Sequence, residues 1–231
     1  MTIQRNTAIG SVRVRYEDPC LKKMLDGFRA AGPRTARQDP HLSQYHLPSI
    51  TLEALRKCNF QVLPDGNGHF TCAPIERTIS SPFDDEIIFS SRSKAPTAFA
   101  SLCFSYFLHC ADAGITATVH VTSEHSGDPS FHASMLLYAI ANMIRLAPGS
   151  RIDAFISGGY PESSSGDTGL ITRIINNNRR ILESVIPLIL DHGVTIKRID
   201  IGGHYRKQVL ASGSGAFDPS RPAILKVLLG R

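Results

Sequence analysis

No apolar run in this chain approaches the ~20 residues that a helix needs to cross a bilayer, so a membrane-spanning helix is not expected. The opening stretch, MTIQRNTAIGSVRVRYEDP, lacks the charged-then-apolar order of a secretory signal. Two locations fit that reading: the cytoplasm, or export by a route that needs no apolar leader. Cysteine is scarce and irregularly spaced, with five residues at 20, 58, 72, 103 and 110. No CxxC pair occurs, which excludes zinc-ribbon and thioredoxin-like readings and fits a reduced compartment. Neither GxGxxG nor GxxxxGK is present, so no phosphate-cradling loop is expected. No internal repeat is visible. Positive charge is only moderate, at +5, and its basic pairs (Lys22–Lys23, Arg179–Arg180, Arg206–Lys207) are scattered. Without interleaved aromatics or a recognition-helix period, they read as solvated faces rather than a nucleic-acid surface.

What is present suits one well-cored domain, possibly with a smaller appendage: 231 residues, 42% of them hydrophobic. Residues 1–93 are irregular and read as an N-terminal extension or small subdomain. Within them VRVRY alternates as a strand, 20–31 has helical spacing, and proline-rich 32–49 reads as a loop. TLEALRKC at 51–58 predicts a short helix capped by Ser49 or Thr51. DGNG at 65–68 predicts a hairpin, and DDEIIFSS at 84–91 one more strand.

Residues 94–231 are more regular. ATVHV at 117–121 alternates, which puts Thr118 and His120 on one face of a strand. Helical spacing covers 131–147 and about 170–192, the second interrupted by Pro187, which is expected to kink it or shift its pattern. IDAFIS and VTIKRIDI read as strands, each running into a Gly-Gly pair, and RKQVLA and ILKVLLG as a closing strand pair. Strands alternating with helices predict an α/β layered domain with a mixed sheet. The stretch AFASLCFSYFLHCADAG fits either a helix or a buried strand.

The candidate chemistry gathers around that stretch. A thiol near an imidazole is the minimal kit for nucleophilic catalysis, since histidine can hold cysteine as thiolate. Cys103 and Cys110 both precede His120, and Thr97 offers a hydroxyl that could orient the ring. The remaining histidines, His132 and His125 among them, read as exposed loop or helix-end residues. A zinc site from Cys103, Cys110 and His120 matches no metal spacing. Gly158–Gly159 and Gly202–Gly203 permit tight turns or close backbone approach to a ligand.

Taken in order, these features resemble the chemoreceptor glutamine deamidase (CheD) family of bacterial chemotaxis. That family has a threonine, a cysteine six residues later, and a histidine seventeen beyond that; Thr97, Cys103 and His120 reproduce both intervals. Next come a loop, an amphipathic helix and a strand ending in Gly-Gly, matched by 122–130, 131–147 and IDAFISGG. A helix with an I-G-x-R-N-like start and a strand ending in D-x-G-G follow, matched by IINNNRRILESVIPLILDHGV, where Ile174 and Asn178 survive, and by RIDIGGHYRKQV. Where the family has L-G-S-C before the nucleophile, this chain has ASLC.

The resemblance covers about residues 94–229 and selects Cys103 over Cys110. It implies a layered sandwich of mixed sheet with flanking helices, in the manner of the family's cysteine hydrolase fold. It implies a cysteine-dependent protein glutamine deamidase with a triad of Cys103, His120 and Thr97. Oxyanion or substrate contacts would come from Ser101, Leu102, Gly202 and Gly203. No metal or organic cofactor is implied, and the partner would be a protein carrying a target glutamine. The same architecture recurs in toxins that deamidate host glutamines, so a secreted effector is an alternative setting; a non-catalytic binding protein of the same fold is another.

Overall fold

Alternation of side chains decides where the strands run, and capping residues decide where the helices start. A computed structural model describes residues 23, 24, 26, 27, 41–75, 84–91, 102–159, 168–199 and 201, and the backbone of 13–15, 40, 97–100, 200, 207–210 and 228–229. In chain order these hold β1 (Arg13–Arg15), a 3₁₀ helix (Pro40–Tyr45), α1 (Leu52–Lys57), β2 (Asn59–Pro64), β3 (Phe70–Ile75) and β4 (Glu86–Ser91). There follow β5 (Thr97–Ala100), β6 (Phe104–Cys110), β7 (Ile115–Val121), α2 (Pro129–Leu146) and β8 (Asp153–Gly158). The last are α3 (Thr168–Asp191), β9 (Thr195–Ile201), β10 (Lys207–Leu210) and β11 (Leu228–Leu229).

Eight strands form one mixed sheet in the order β1-β9-β8-β6-β7-β4-β2-β3. The β1–β9 and β8–β9 pairs are parallel, and every other pair of this sheet is antiparallel. The strands β5, β10 and β11 form a separate antiparallel sheet. This mixed α/β architecture is the one expected from the alternation of elements. The ambiguous central stretch is strand: Phe104, Tyr106, Leu108 and Cys110 turn to the core, and the whole of β6 is buried. A strand buried on both faces reads as a continuous apolar run, which is why periodicity alone left it open.

Side chains of alternate strand positions, including Ala117, Val119, Val121, Ala154 and Ile156, meet Met135, Ala139, Ile181, Val185 and Ile189 of the helices in one core cluster. The opposite face of the sheet is also buried but carries polar groups, among them Glu86, Ser105, Thr118, His120 and Ser157. It is this second face that carries His120.

Residue 93 does not divide the sheet. Strands β1 to β4, all from the presumed extension, are half of it. Ile87 and Phe89 of β4 continue the helix-side core beyond β7, and Phe60 and Val62 of β2 carry it further. The segment before α1 is pinned to α2: Asn142 Nδ2 donates to the Tyr45 carbonyl at 2.9 Å, and Arg145 Nη2 to the carbonyls of Leu47 and Ile50. Charged donors on buried carbonyls contribute about 1.5–3 kcal/mol each.

Local signals explain the helix ends. Thr51 caps α1 by accepting from Ala54 N–H. α2 starts two residues before the expected Phe131, because Asp128 accepts from the N–H groups of Ser130 and Phe131 and Pro129 sits in the first turn. Pro187 neither ends α3 nor shifts its pattern: Ile181, Leu182, Val185, Ile186, Ile189 and Leu190 stay buried on both sides of it. Packing of that continuous apolar stripe outweighs the one lost backbone bond. Gly193, at φ +72°, closes the helix. Among the described residues, no helix is long and apolar enough to cross a membrane.

Candidate active site

The register of β6, β7 and β8 brings Cys103 to His120. In the β6–β7 pair, Phe104 stands opposite Val121 and Ser105 opposite His120. Cys103 lies in the bend just before β6, half-buried, and its thiol hydrogen-bonds the His120 ring. The expected share of a face by Thr118 and His120 places that ring on the polar side of the sheet, 3% exposed.

The other ring nitrogen fixes the tautomer. His120 Nδ1 lies 2.8 Å from the Asp84 carbonyl oxygen. A carbonyl can only accept, so Nδ1 carries the hydrogen and Nε2 is the nitrogen left for the Cys103 sulfur. Burial by itself would lower the His120 pKa. The hydrogen bond to Cys103, the Asp84 carbonyl and the negative charges of Cys103 and Glu86 outweigh it, and the net shift is upward. A raised imidazole pKa beside a thiol favours the thiolate–imidazolium form, which is the nucleophilic one.

Both glycines at the end of β8, Gly158 and Gly159, are required by this corner. Gly158 adopts φ +138°, and a Cβ there would come within 2.1 Å of the Cys103 carbonyl oxygen. Gly159 adopts φ +62°, and its N–H donates to that same oxygen at 3.2 Å. A Cβ on Gly159 would meet Asn178 Oδ1 at 2.3 Å, while Asn178 Nδ2 donates to the Gly159 carbonyl at 2.9 Å. The glycine pair thus wedges between the Cys103 backbone and a buried asparagine of α3. The close approach at Gly158–Gly159 is to the chain's own backbone at Cys103 and to the Asn178 side chain.

The bend before β4 serves the same corner. Asp84 supplies the carbonyl, and the next side chain, Asp85, accepts from Thr122 N–H and from His125 Nδ1, each at 2.6 Å. Thr122 directly follows β7, so this carboxylate ties the bend to the strand that carries His120. As sequence, DDEIIFSS predicts only a strand; the acidic residues leading into its apolar run are the available signal.

Other expected positions fall as follows. Leu102 lies in the same bend as Cys103 and is half-buried. The backbone of Thr97 is the first residue of β5, paired with Leu210 of β10; its side chain lies outside the described residues, as do Ser101, Gly202 and Gly203. Cys110 is at the far end of β6, in the helix-side core, roughly 20 Å along the strand from Cys103. A zinc site joining the two with His120 is therefore not assembled, and among the described residues no three metal-type ligands cluster. His132 corrects the expectation of an exposed residue: it is fully buried, because the start of α2 is pressed against Phe104 and Tyr106.

Neither protein-family models nor curated proteins yield a match to this chain.

Proposed function

We propose that the chain is a cysteine-dependent protein glutamine deamidase with Cys103 as nucleophile. The observation that carries this reading is the hydrogen bond between Cys103 and a buried His120 whose Nδ1 is already held by the Asp84 carbonyl. Acyl-transfer chemistry needs that arrangement: a nucleophile, a base in contact with it, and a third group that fixes the base's tautomer.

In the proposed reaction the Cys103 thiolate attacks the carbonyl carbon of a glutamine side chain, and a tetrahedral oxyanion forms. Backbone N–H groups near Ser101 and Leu102, and those of Gly202 and Gly203, are the candidate donors to it. One such donor contributes about 10²–10³ in rate. His120 then gives its proton to the departing nitrogen, and ammonia leaves a thioester on Cys103. Water, deprotonated by His120, hydrolyses the thioester to glutamate and regenerates the thiol. The family resemblance makes Thr97 the third member of the triad, and the Asp84 carbonyl holds His120 Nδ1. The family resemblance supports the choice of a glutamine side chain. It also brings the two settings, a bacterial chemotaxis protein or an effector acting on a host protein.

The test uses the full chain with a blocked glutamine-containing peptide and a denatured glutamine-rich protein as probes. Ammonia release and glutamine-to-glutamate conversion are followed by mass spectrometry for wild type, Cys103→Ser and His120→Asn. Both variants should lose conversion, and wild-type Cys103 should react with iodoacetamide at neutral pH faster than Cys58, Cys72 and Cys110. Conversion that persists in Cys103→Ser, or a Cys103 as inert as the other cysteines, refutes the assignment.

A further inference from the structure

His120 has a buried carboxylate beside it that the reaction just described does not use. In the β4–β7 ladder Glu86 stands directly opposite His120. Directly opposed residues of antiparallel strands have Cβ atoms about 4.5–5.5 Å apart on the same face. Glu86 is 3% exposed, and its Oε2 accepts from Gln61 Nε2 on the next strand, β2. On that face, two strands from Cys103, the carboxylate stands in reach of the His120 ring.

The other described groups that face His120 are set by the same strand pairing. On the β6 side its neighbour is Ser105, followed across the sheet by Ser157 of β8, both uncharged. Cys103 contributes a thiol or a negative charge. Asp84 contributes a main-chain carbonyl, and Asp85 is already engaged with His125 and Thr122. Arg198, buried on β9, is three strands from β7, roughly 14 Å at ordinary strand spacing.

We propose that Glu86, oriented by Gln61, is a positioning residue that holds the proton on His120 and so keeps the Cys103–His120 pair in its charged form. The carboxylate does not touch the substrate. It supplies the negative charge that a main-chain carbonyl at Nδ1 does not, and it holds the proton that His120 later delivers to the leaving ammonia. The inference rests on the Cys103–His120 pair of the proposed enzyme but not on glutamine as the substrate.

The experiment reads the proton directly. The full chain, labelled with ¹⁵N-histidine, is titrated by NMR, and the His120 midpoint is compared in wild type, Glu86→Gln and Glu86→Asp. Glu86→Gln should lower the proton affinity of His120 about tenfold, as loss of one neighbouring opposite charge does. Glu86→Asp, which keeps the charge, should restore most of it. A folded Glu86→Gln protein with an unchanged His120 midpoint overturns the proposal. If Glu86→Gln does not fold, Cys103→Ser gives the reading instead. With the thiolate gone, His120 should still titrate above the ordinary imidazole value; a midpoint at or below that value overturns the proposal. No substrate enters the titration, so failure to deamidate the chosen probes and failure of the Glu86 role are separate results.

Discussion

Replacing His132 with glutamine should make the fold more resistant to acid, even if it costs stability at neutral pH. His132 sits at the start of α2 with its ring edge-on to Phe104, at 5.0 Å between centroids. Its Nε2 lies 3.2 Å from the His125 carbonyl oxygen, so Nε2 carries the hydrogen, and Nδ1 accepts from the Tyr106 hydroxyl. Both bonds suit the neutral ring. Burial is the main reason that its pKa is lowered to about 4, against the opposing pull of the His125 carbonyl and the charges of Asp128 and Asp85.

The sign follows from proton counting. Between pH 6.5 and about 4 the unfolded chain binds a proton at this histidine and the folded chain does not, so stability rises with pH across that window. The stabilisation is complete above pH 6.5 and is lost as pH falls to about 4, and the gap corresponds to roughly 3 kcal/mol. Urea unfolding of wild type and His132→Gln at a series of pH values measures it. From pH 7 to 4.5 wild type should lose about 2–3 kcal/mol more than the variant, a relative midpoint shift of about 1 M urea. Carboxylates titrate in both proteins and cancel in the difference. Parallel stability curves would refute the buried, neutral state of His132. The consequence reaches the site, because the His125 that receives His132's hydrogen bond also holds Asp85, next to the carbonyl on His120.

The glycine corner supports two further predictions. Gly158→Ala places a methyl group 2.1 Å from the Cys103 carbonyl at φ +138°; with neither backbone able to move, it should cost more than about 4 kcal/mol in thermal or urea unfolding. A stability within 1 kcal/mol of wild type would show that β8 does not pass so close to Cys103. At Gly159 the clash is with a side chain, so a double-mutant cycle reads it. Gly159→Ala and Asn178→Ala should each destabilise, the latter by about 1–3 kcal/mol through the orphaned Gly159 carbonyl. Together they should cost less than their sum by about 0.5–3 kcal/mol, because removing the asparagine removes the clash; strict additivity would contradict the contact.

Much of the fold is legible because it depends on local pattern. Alternation in ATVHV puts His120 on one face wherever the strand lies, and the cap at Thr51, the DGNG hairpin and the Gly193 stop each act within a few residues. The Thr97, Cys103 and His120 intervals are likewise a property of the chain. What periodicity could not settle was β6, where burial on both faces erases the alternation, and Pro187, where packing along α3 overrides a local breaker.

Pairing across the sheet decided the rest. Nothing within residues 84–86 says that the first of them will hold a histidine ring 36 residues later, or that the third will lie directly across from it; the β4–β7 register does. The same holds for Gly158, whose lack of a side chain is a necessity only once β8 runs against the carbonyl of Cys103. Side-chain type and spacing are written in one dimension, and they nominate Cys103 and His120. Hydrogen bonds and charge act over a few ångströms between strands far apart in the chain. The partners that orient and charge the pair are therefore set by tertiary structure alone.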